Sequence, residues 1–99
     1  MANRRRHLIA YDIHDPKRLR QVHKVLVSYG YSVQYSVFVC DLTTQEKIAF
    51  RWDIGEVIKH REDSVVIVDL GEAGEASSDR FEFLGVSLEL PEDGGVTII

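Results

Sequence analysis

Two short apolar runs constrain the fold of this chain more than any other feature. Residues 5–13 contain the run HLIAY, and residues 63–70 contain VVIV. Continuous runs with little alternation are typical of strands buried on both faces. Both are far shorter than the ~18–20 apolar residues that a membrane helix needs. We therefore predict one globular domain over residues 1–99, built on a central β-sheet, with no membrane segment.

An amphipathic helix is predicted between these runs, over residues 17–29. Asp15 is a suitable N-cap, Pro16 suits the first turn, and Gly30 is a suitable residue to end the helix after its last turn. The apolar positions fall on one helical stripe: Leu19, Val22, Leu26 and Tyr29. The basic residues on the opposite side are Lys17, Arg20 and Lys24.

Residues 33–42 are rich in β-branched and aromatic residues and form either one long strand or two short ones folded around residues 35–36. Thr43 and Glu46 have capping-box spacing and predict a second helix that ends near residue 59. The side chains expected to face inward are Ile48, Trp52 and Ile58. The basic residues 59–61 suit the negative end of this helix.

The resulting order is strand, helix, strand or strands, helix, strand, which is typical of a split βαβ arrangement of the α+β class. Parallel central strands with right-handed crossovers would place both helices on one face of the sheet. The other face, with residues such as Ile9 or Ile67, would then be bare, and a second copy of the chain would cover it. Residues 86–90 and 96–99 predict further strands, and we expect segment 80–99 to pair with the partner protomer.

The charge distribution is asymmetric although the net charge is only −4. Residues 1–24 hold seven basic residues against two acids, whereas residues 69–94 hold eight acids against Arg80. This pattern favours an anionic partner on one face, such as nucleic acid, or else a merely dipolar surface. The residues expected to contact nucleic acid are Arg4, Arg5, Arg6, Lys17, Arg20 and Lys24.

Asp12 is the main candidate for chemistry because it ends the first predicted strand, next to a basic helix. An acid beside Arg18 and Arg20 suits a metal ion and a phosphate together, although a turn aspartate is the commoner role. Mg²⁺ takes one or two carboxylates with water and substrate phosphate, and a two-fold dimer would supply a second Asp12. Cys40 is expected to be a buried, inert thiol, which agrees with a reducing cytoplasm.

Several segments together closely resemble the small CRISPR-associated Cas2 family. They are Tyr11-Asp12-Ile13, residues 17–22, Gly30, residues 33–40 and residues 63–70. The resemblance implies a ferredoxin-like βαββαβ domain with an additional C-terminal strand, working as a homodimer. It also implies Asp12 as the metal-binding acid of each protomer, with supporting positions at Tyr11, Arg18, Arg20, Ser36 and Phe38. The chain departs from the family pattern at Val39, where a glutamate is common, and at Ser32, where a basic residue is common.

Two functions remain open at this stage. The first is a Mg²⁺-dependent endonuclease that cleaves single-stranded RNA or double-stranded DNA and takes part in spacer acquisition with the CRISPR-associated integrase. In it Arg18 and Arg20 hold the phosphate, while Tyr11 and Phe38 shape the pocket. The second is a dimeric adaptor that binds DNA and bridges integrase subunits without cleavage. A toxin-type RNase outside CRISPR immunity is a weaker third alternative.

Overall fold

The computed structural model describes residues 3–74 and 80–86, which form a four-stranded sheet and two helices. In chain order the elements are β1 (Arg5–Asp12), α1 (Pro16–Tyr29), β2 (Tyr31–Gln34), β3 (Val37–Leu42), α2 (Thr44–Val57) and β4 (Ser64–Glu72). The strands lie in the order β2-β3-β1-β4. The predicted α+β class is confirmed, and β1 occupies a central position.

Adjacent strands in this sheet are all antiparallel, so the prediction of parallel central strands was wrong. Ile9 of β1 lies opposite Phe38 of β3 on one side and Ile67 of β4 on the other. The crossover helix α1 joins β1 to β2, which run in the same direction, but β3 lies between them. The parallel pair is therefore split, and each of its strands bonds to antiparallel neighbours.

One face of the sheet carries both helices and the core. Val22 and Leu26 of α1 and Phe50 and Ile54 of α2 pack with Ile9 in a single buried cluster. Ile67 also packs against this cluster, so the expectation that Ile9 and Ile67 lie on the bare face was wrong. Side chains alternate along a strand, so the helix-free face carries their neighbours instead.

Helix α1 follows the predicted stripe, and Asp15 caps it by accepting a hydrogen bond from the Arg18 amide at 2.9 Å. Gly30 ends the helix, as predicted, with an extended φ of −164°. A glycine is needed there because a Cβ atom would lie 2.2 Å from the Val39 carbonyl oxygen. The constraint is close backbone approach rather than backbone handedness.

Residues 31–42 form two short strands, and the turn between them falls at Tyr35 and Ser36, as one of the two alternatives predicted. The capping box of Thr43 and Glu46 is confirmed at the start of α2. This helix ends at Val57, two residues before the predicted end, so the basic residues 59–61 lie beyond its last turn.

The inward face predicted for α2 was wrong for two of its three residues. Ile48 is 64% exposed and Trp52 is 69% exposed, whereas Ile58 packs against the core. Phe50 and Ile54 are the buried residues of the helix. Two residues correspond to about 200° around a helix, so Ile48 and Trp52 lie opposite Phe50.

The predicted strand over residues 96–99 and most of the one over residues 86–90 lie outside the described residues. Most of segment 80–99, which is predicted to pair with a partner protomer, also lies outside the described residues. Within residues 3–74 and 80–86, no helix is long and apolar enough to cross a membrane.

Candidate active site

Asp12 is the last residue of β1 and lies opposite Ser64 of β4. Its side chain is 76% exposed, and one carboxylate oxygen lies 3.3 Å from Nε2 of His14. Ile67 packs on the helix side, so strand alternation and register place Val66, Val68 and Asp12 on the helix-free face. An exposed acid at a strand end is therefore available to a ligand or to another molecule.

No group of three or more His, Cys, Asp or Glu side chains is arranged to hold a metal ion within the part of the chain that the structure describes. The carboxylate of Asp12 is a hard oxygen donor that suits Mg²⁺, an ion that usually keeps several water ligands. Its exposed position leaves room for those waters and for a substrate phosphate. Among the residues that the structure describes, Asp12 is the single acid offered at this strand end, so a fuller ligand set requires a further carboxylate.

Asp63 organises the loops beside Asp12, a role that the sequence reasoning missed. Its buried carboxylate accepts hydrogen bonds from the backbone amides of His14 at 2.9 Å and Lys59 at 2.8 Å. It also accepts from Nε of Arg18 at 2.7 Å, and this guanidinium, helped by the two amides, holds the pKa of Asp63 well below its usual range. In the sequence, the one signal for this role is the position of Asp63 at the edge of an apolar run.

Arg18 is committed to acids rather than to an open phosphate site. Besides Asp63 it donates to Glu62 at 3.1 Å, and its side chain is 21% exposed. The hydrogen bond to Asp63 is the main cause of its raised pKa. The predicted role of Arg18 in holding the phosphate is corrected accordingly: its guanidinium ties the start of α1 to the turn before β4.

The three consecutive arginines are also paired with acids. Arg6 is fully buried and forms a two-pronged salt bridge with the equally buried Asp41, at 2.8 and 2.9 Å. This burial contradicts the prediction that Arg6 contacts nucleic acid, because no phosphate reaches it at the surface. Arg4 and Arg5 are exposed but bind Glu46 and Asp69, respectively, each through two hydrogen bonds.

The cations of α1 differ from these arginines. Lys17, Arg20 and Lys24 are exposed, and none of them forms an ion pair with a described residue. They lie on the solvent side of the helix, as the sequence predicts. These three side chains are the ones best placed to meet a phosphate backbone.

Tyr11 and Phe38 lie mainly in the interior. Tyr11 is 7% exposed, and its hydroxyl donates to the Tyr35 carbonyl at 3.0 Å, while its amide donates to the Ser36 carbonyl at 3.2 Å. Phe38 is 1% exposed and packs edge-on against His23, with ring centres 5.5 Å apart. Tyr11 and Ser36 therefore fix the β2–β3 turn, and Phe38 supports the core rather than the surface of a pocket.

Cys40 is fully buried, as expected, and burial raises the pKa of its thiol to about 12. A thiol in this state is neither a ready nucleophile nor a ready metal ligand. Among the described residues, Asp12 therefore remains the side chain best suited to reaction chemistry.

Comparison with known proteins identifies the family. The family model of CRISPR associated protein Cas2 matches residues 5–77, which include every strand and helix described above. The chain belongs to the Cas2 family. It is 41% identical over 86 residues to CRISPR-associated endoribonuclease Cas2 1 of Rhodospirillum rubrum, which covers 87% of this chain and 83% of the relative.

Two solved structures share the Cas2 architecture of this chain. The hypothetical protein TT1823 from Thermus thermophilus is 34% identical, with a TM-score of 0.75, covering 90% of this chain and 99% of that one. Streptococcus pyogenes Cas2 is 35% identical, with a TM-score of 0.71, covering 81% and 99%. At position 39, where a glutamate is common in the family, this Cas2 chain has a valine that is fully buried on β3. This position therefore adds no acid to the site.

Proposed function

We propose that this protein is a Mg²⁺-dependent endonuclease that works as a homodimer, with Asp12 of each protomer at the site of cleavage. The observation that carries the proposal is the position of Asp12, an exposed carboxylate at the end of the central strand β1. Family membership supports a nuclease, since the relative from Rhodospirillum rubrum is named an endoribonuclease.

The helix-free face of the sheet supports the dimer. It exposes Val66 and Val68, which are 51% and 41% accessible, and strand alternation places Asp12 on the same face. A second ferredoxin-like copy packed against this face would cover the two valines. The same packing would bring a second Asp12 toward the first, which would supply a second carboxylate.

The residues around Asp12 have separable tasks in this proposal. Asp12 holds the ion, and His14, within 3.3 Å, orients the carboxylate. Arg20 and Lys17 on α1 hold the nucleic-acid backbone. When bound, Mg²⁺ activates a water molecule and offsets the charge on the leaving oxygen of the phosphodiester. Asp63 keeps His14 in place through the backbone hydrogen bond at 2.9 Å.

The substrate we propose is single-stranded RNA or double-stranded DNA, and the biological setting is spacer acquisition with the CRISPR-associated integrase. Cleavage of both substrates should be measured with Mg²⁺ and with EDTA, for wild type and for Asp12→Asn. Glu56→Gln is the matched control, since Glu56 is an exposed acid on α2 outside the site. We expect cleavage to require Mg²⁺, to be lost in Asp12→Asn and to persist in Glu56→Gln.

Mixed dimers test whether both carboxylates are needed. Wild type and Asp12→Asn are unfolded together in equal amounts, refolded, and assayed at constant total protein. If only dimers with two Asp12 residues cleave, activity falls to about one quarter of the wild-type value, because random pairing forms that fraction. A value near one half would contradict the shared site, because each protomer would then act alone.

A non-catalytic adaptor is the alternative, and the exposed cations of α1 favour it. Lys17, Arg20 and Lys24 can track a DNA backbone without any catalytic group. In that case Asp12→Asn retains DNA binding and integrase binding, and no purified preparation cleaves nucleic acid above the background of the variant. Cleavage that survives in Asp12→Asn would instead point to a contaminant or to a different site.

A further inference from the structure

A cavity of about 380 Å³ lies between α1 and the β2–β3 turn. Its lining residues are Tyr11, Leu19, Arg20, His23, Ser32 and Tyr35. Small-molecule sites usually have volumes of ~300–1,000 Å³, so this cavity, here named the hairpin pocket, has room for one small ligand. It opens on the helix side of β1, whereas Asp12 belongs to the helix-free face.

The walls of the hairpin pocket are held in place before any ligand binds. Two hydrogen bonds from Tyr11, to the carbonyl oxygens of Tyr35 at 3.0 Å and Ser36 at 3.2 Å, fix the turn to the end of β1. The His23 ring packs edge-on against the buried Phe38. In spite of this fixed backbone, Tyr35 remains 87% exposed, so most of its aromatic surface is open to a partner.

The chemistry of the lining is mixed in a way that matches a nucleotide. Tyr35 and Leu19 offer apolar surface, and an aromatic ring binds any nucleobase by stacking. Arg20 is an exposed cation that pairs with no described acid, and a guanidinium holds phosphate through two parallel hydrogen bonds. His23 and Ser32 add hydrogen-bonding groups for the edge of a base or for a sugar.

We propose that the hairpin pocket binds one unpaired nucleotide, with its base against Tyr35 and its phosphate on Arg20. A paired base inside a duplex has both faces stacked, so only a nucleotide from a single strand, a frayed end or a flipped position can enter. The proposal rests on the proposed function in one respect, which is that the ligand of this protein is nucleic acid.

The hairpin pocket and the proposed cleavage site share the end of β1. Tyr11 lines the pocket and Asp12 is the next residue, with Cα atoms about 3.8 Å apart. Because the two side chains point to opposite faces of the sheet, a strand anchored by one nucleotide in the pocket must pass around the end of β1 to reach the carboxylate.

Binding without metal separates this proposal from cleavage. Fluorescence anisotropy in EDTA measures the affinity of the full chain for labelled oligothymidylate, for oligouridylate and for a mixed-sequence duplex. Tyr35→Leu removes the aromatic ring, whereas Tyr35→Phe keeps it. Arg51→Gln removes an exposed charge from α2, outside the pocket. We expect Tyr35→Leu to weaken single-strand binding about ten-fold, which is typical for the loss of one stacked base.

The controls define the pattern that supports the pocket. The affinity of Tyr35→Leu for the duplex should stay within about two-fold of wild type. Tyr35→Phe should bind single strands like wild type, and Arg51→Gln should weaken binding to single strands and to the duplex alike. Equal single-strand affinity of Tyr35→Leu and wild type overturns the proposal, and so does an equal loss on the duplex. Failure of the wild type to bind either single strand overturns it as well. Because no cleavage is measured, a catalytically silent Asp12 leaves these outcomes unchanged.

Discussion

Replacing Asp41 by asparagine removes the carboxylate that faces the buried guanidinium of Arg6. Both side chains have 0% exposure, and two hydrogen bonds of 2.8 and 2.9 Å join them. Breaking a buried pair by removing one partner typically costs about 3–5 kcal/mol. A small domain has a total unfolding free energy of ~5–15 kcal/mol, so the variant should be severely destabilised.

An exposed pair between the residue before β1 and helix α2 provides the comparison. Arg4 binds Glu46 at 3.0 Å, with both side chains about 40% exposed. Surface pairs contribute about 0–1 kcal/mol, so Arg4→Gln should change stability by no more than that. The difference between the two substitutions comes from burial, since the salt-bridge distances are similar.

The assay is urea unfolding followed by circular dichroism, at neutral pH and constant protein concentration. Asp41→Asn is measured beside Arg4→Gln and beside the double variant Arg6→Met/Asp41→Leu, which replaces the pair by apolar groups. Such replacements are often neutral or stabilising, so the double variant should recover most of the lost free energy. It also keeps a folded protein available if the single variant does not fold.

The double variant has a second use, because Arg6 was expected from the sequence to contact nucleic acid. Since Arg6 is buried, the double variant should bind a DNA duplex with the wild-type salt dependence. Arg20→Gln should instead lower the log–log salt slope by about one. The reasoning is refuted if Asp41→Asn and Arg4→Gln cost the same free energy, or if loss of Arg6 lowers the salt slope as Arg20→Gln does.

Three further predictions follow from buried groups elsewhere. Gly30→Ala should destabilise by about 1–3 kcal/mol, because the added Cβ meets backbone at 2.2 Å; the control Gly55→Ala, where nothing lies within 4 Å, should stabilise by about 0.5–1 kcal/mol in urea unfolding. Burial, reinforced by the charge of Lys47, lowers the pKa of His7. Below a pH of about 6.5 the unfolded chain therefore binds more protons than the folded chain, and the melting temperature should fall as the pH drops. His7→Gln should flatten that slope, and an unchanged slope would contradict the assignment. Cys40 should react with a thiol reagent only at the unfolding rate, and rapid labelling of the native protein would show that it is not buried.

The sequence by itself determined the local structure of this protein and its family. The caps at Asp15 and Thr43 depend on residues three positions apart, and the structure has both of them. The apolar stripe of α1 was also readable, because helical spacing repeats within one segment. The position of Asp12 at the end of a strand could be predicted from the apolar run before it. The groups that lie near its carboxylate could not be predicted in this way.

Only the tertiary structure decided which charges are available and which apolar residues are buried. Arg6 and Arg18 look like surface cations in the sequence, yet they are bound by Asp41 and Asp63, which lie 35 and 45 positions away. Trp52 looks like a core residue, yet the phase of α2 was set by the packing of Phe50 against the sheet. The physical reason is common to both cases. Pairing and burial depend on which distant segments the fold brings into contact, whereas sequence spacing reports only what lies within a turn or two of the same element.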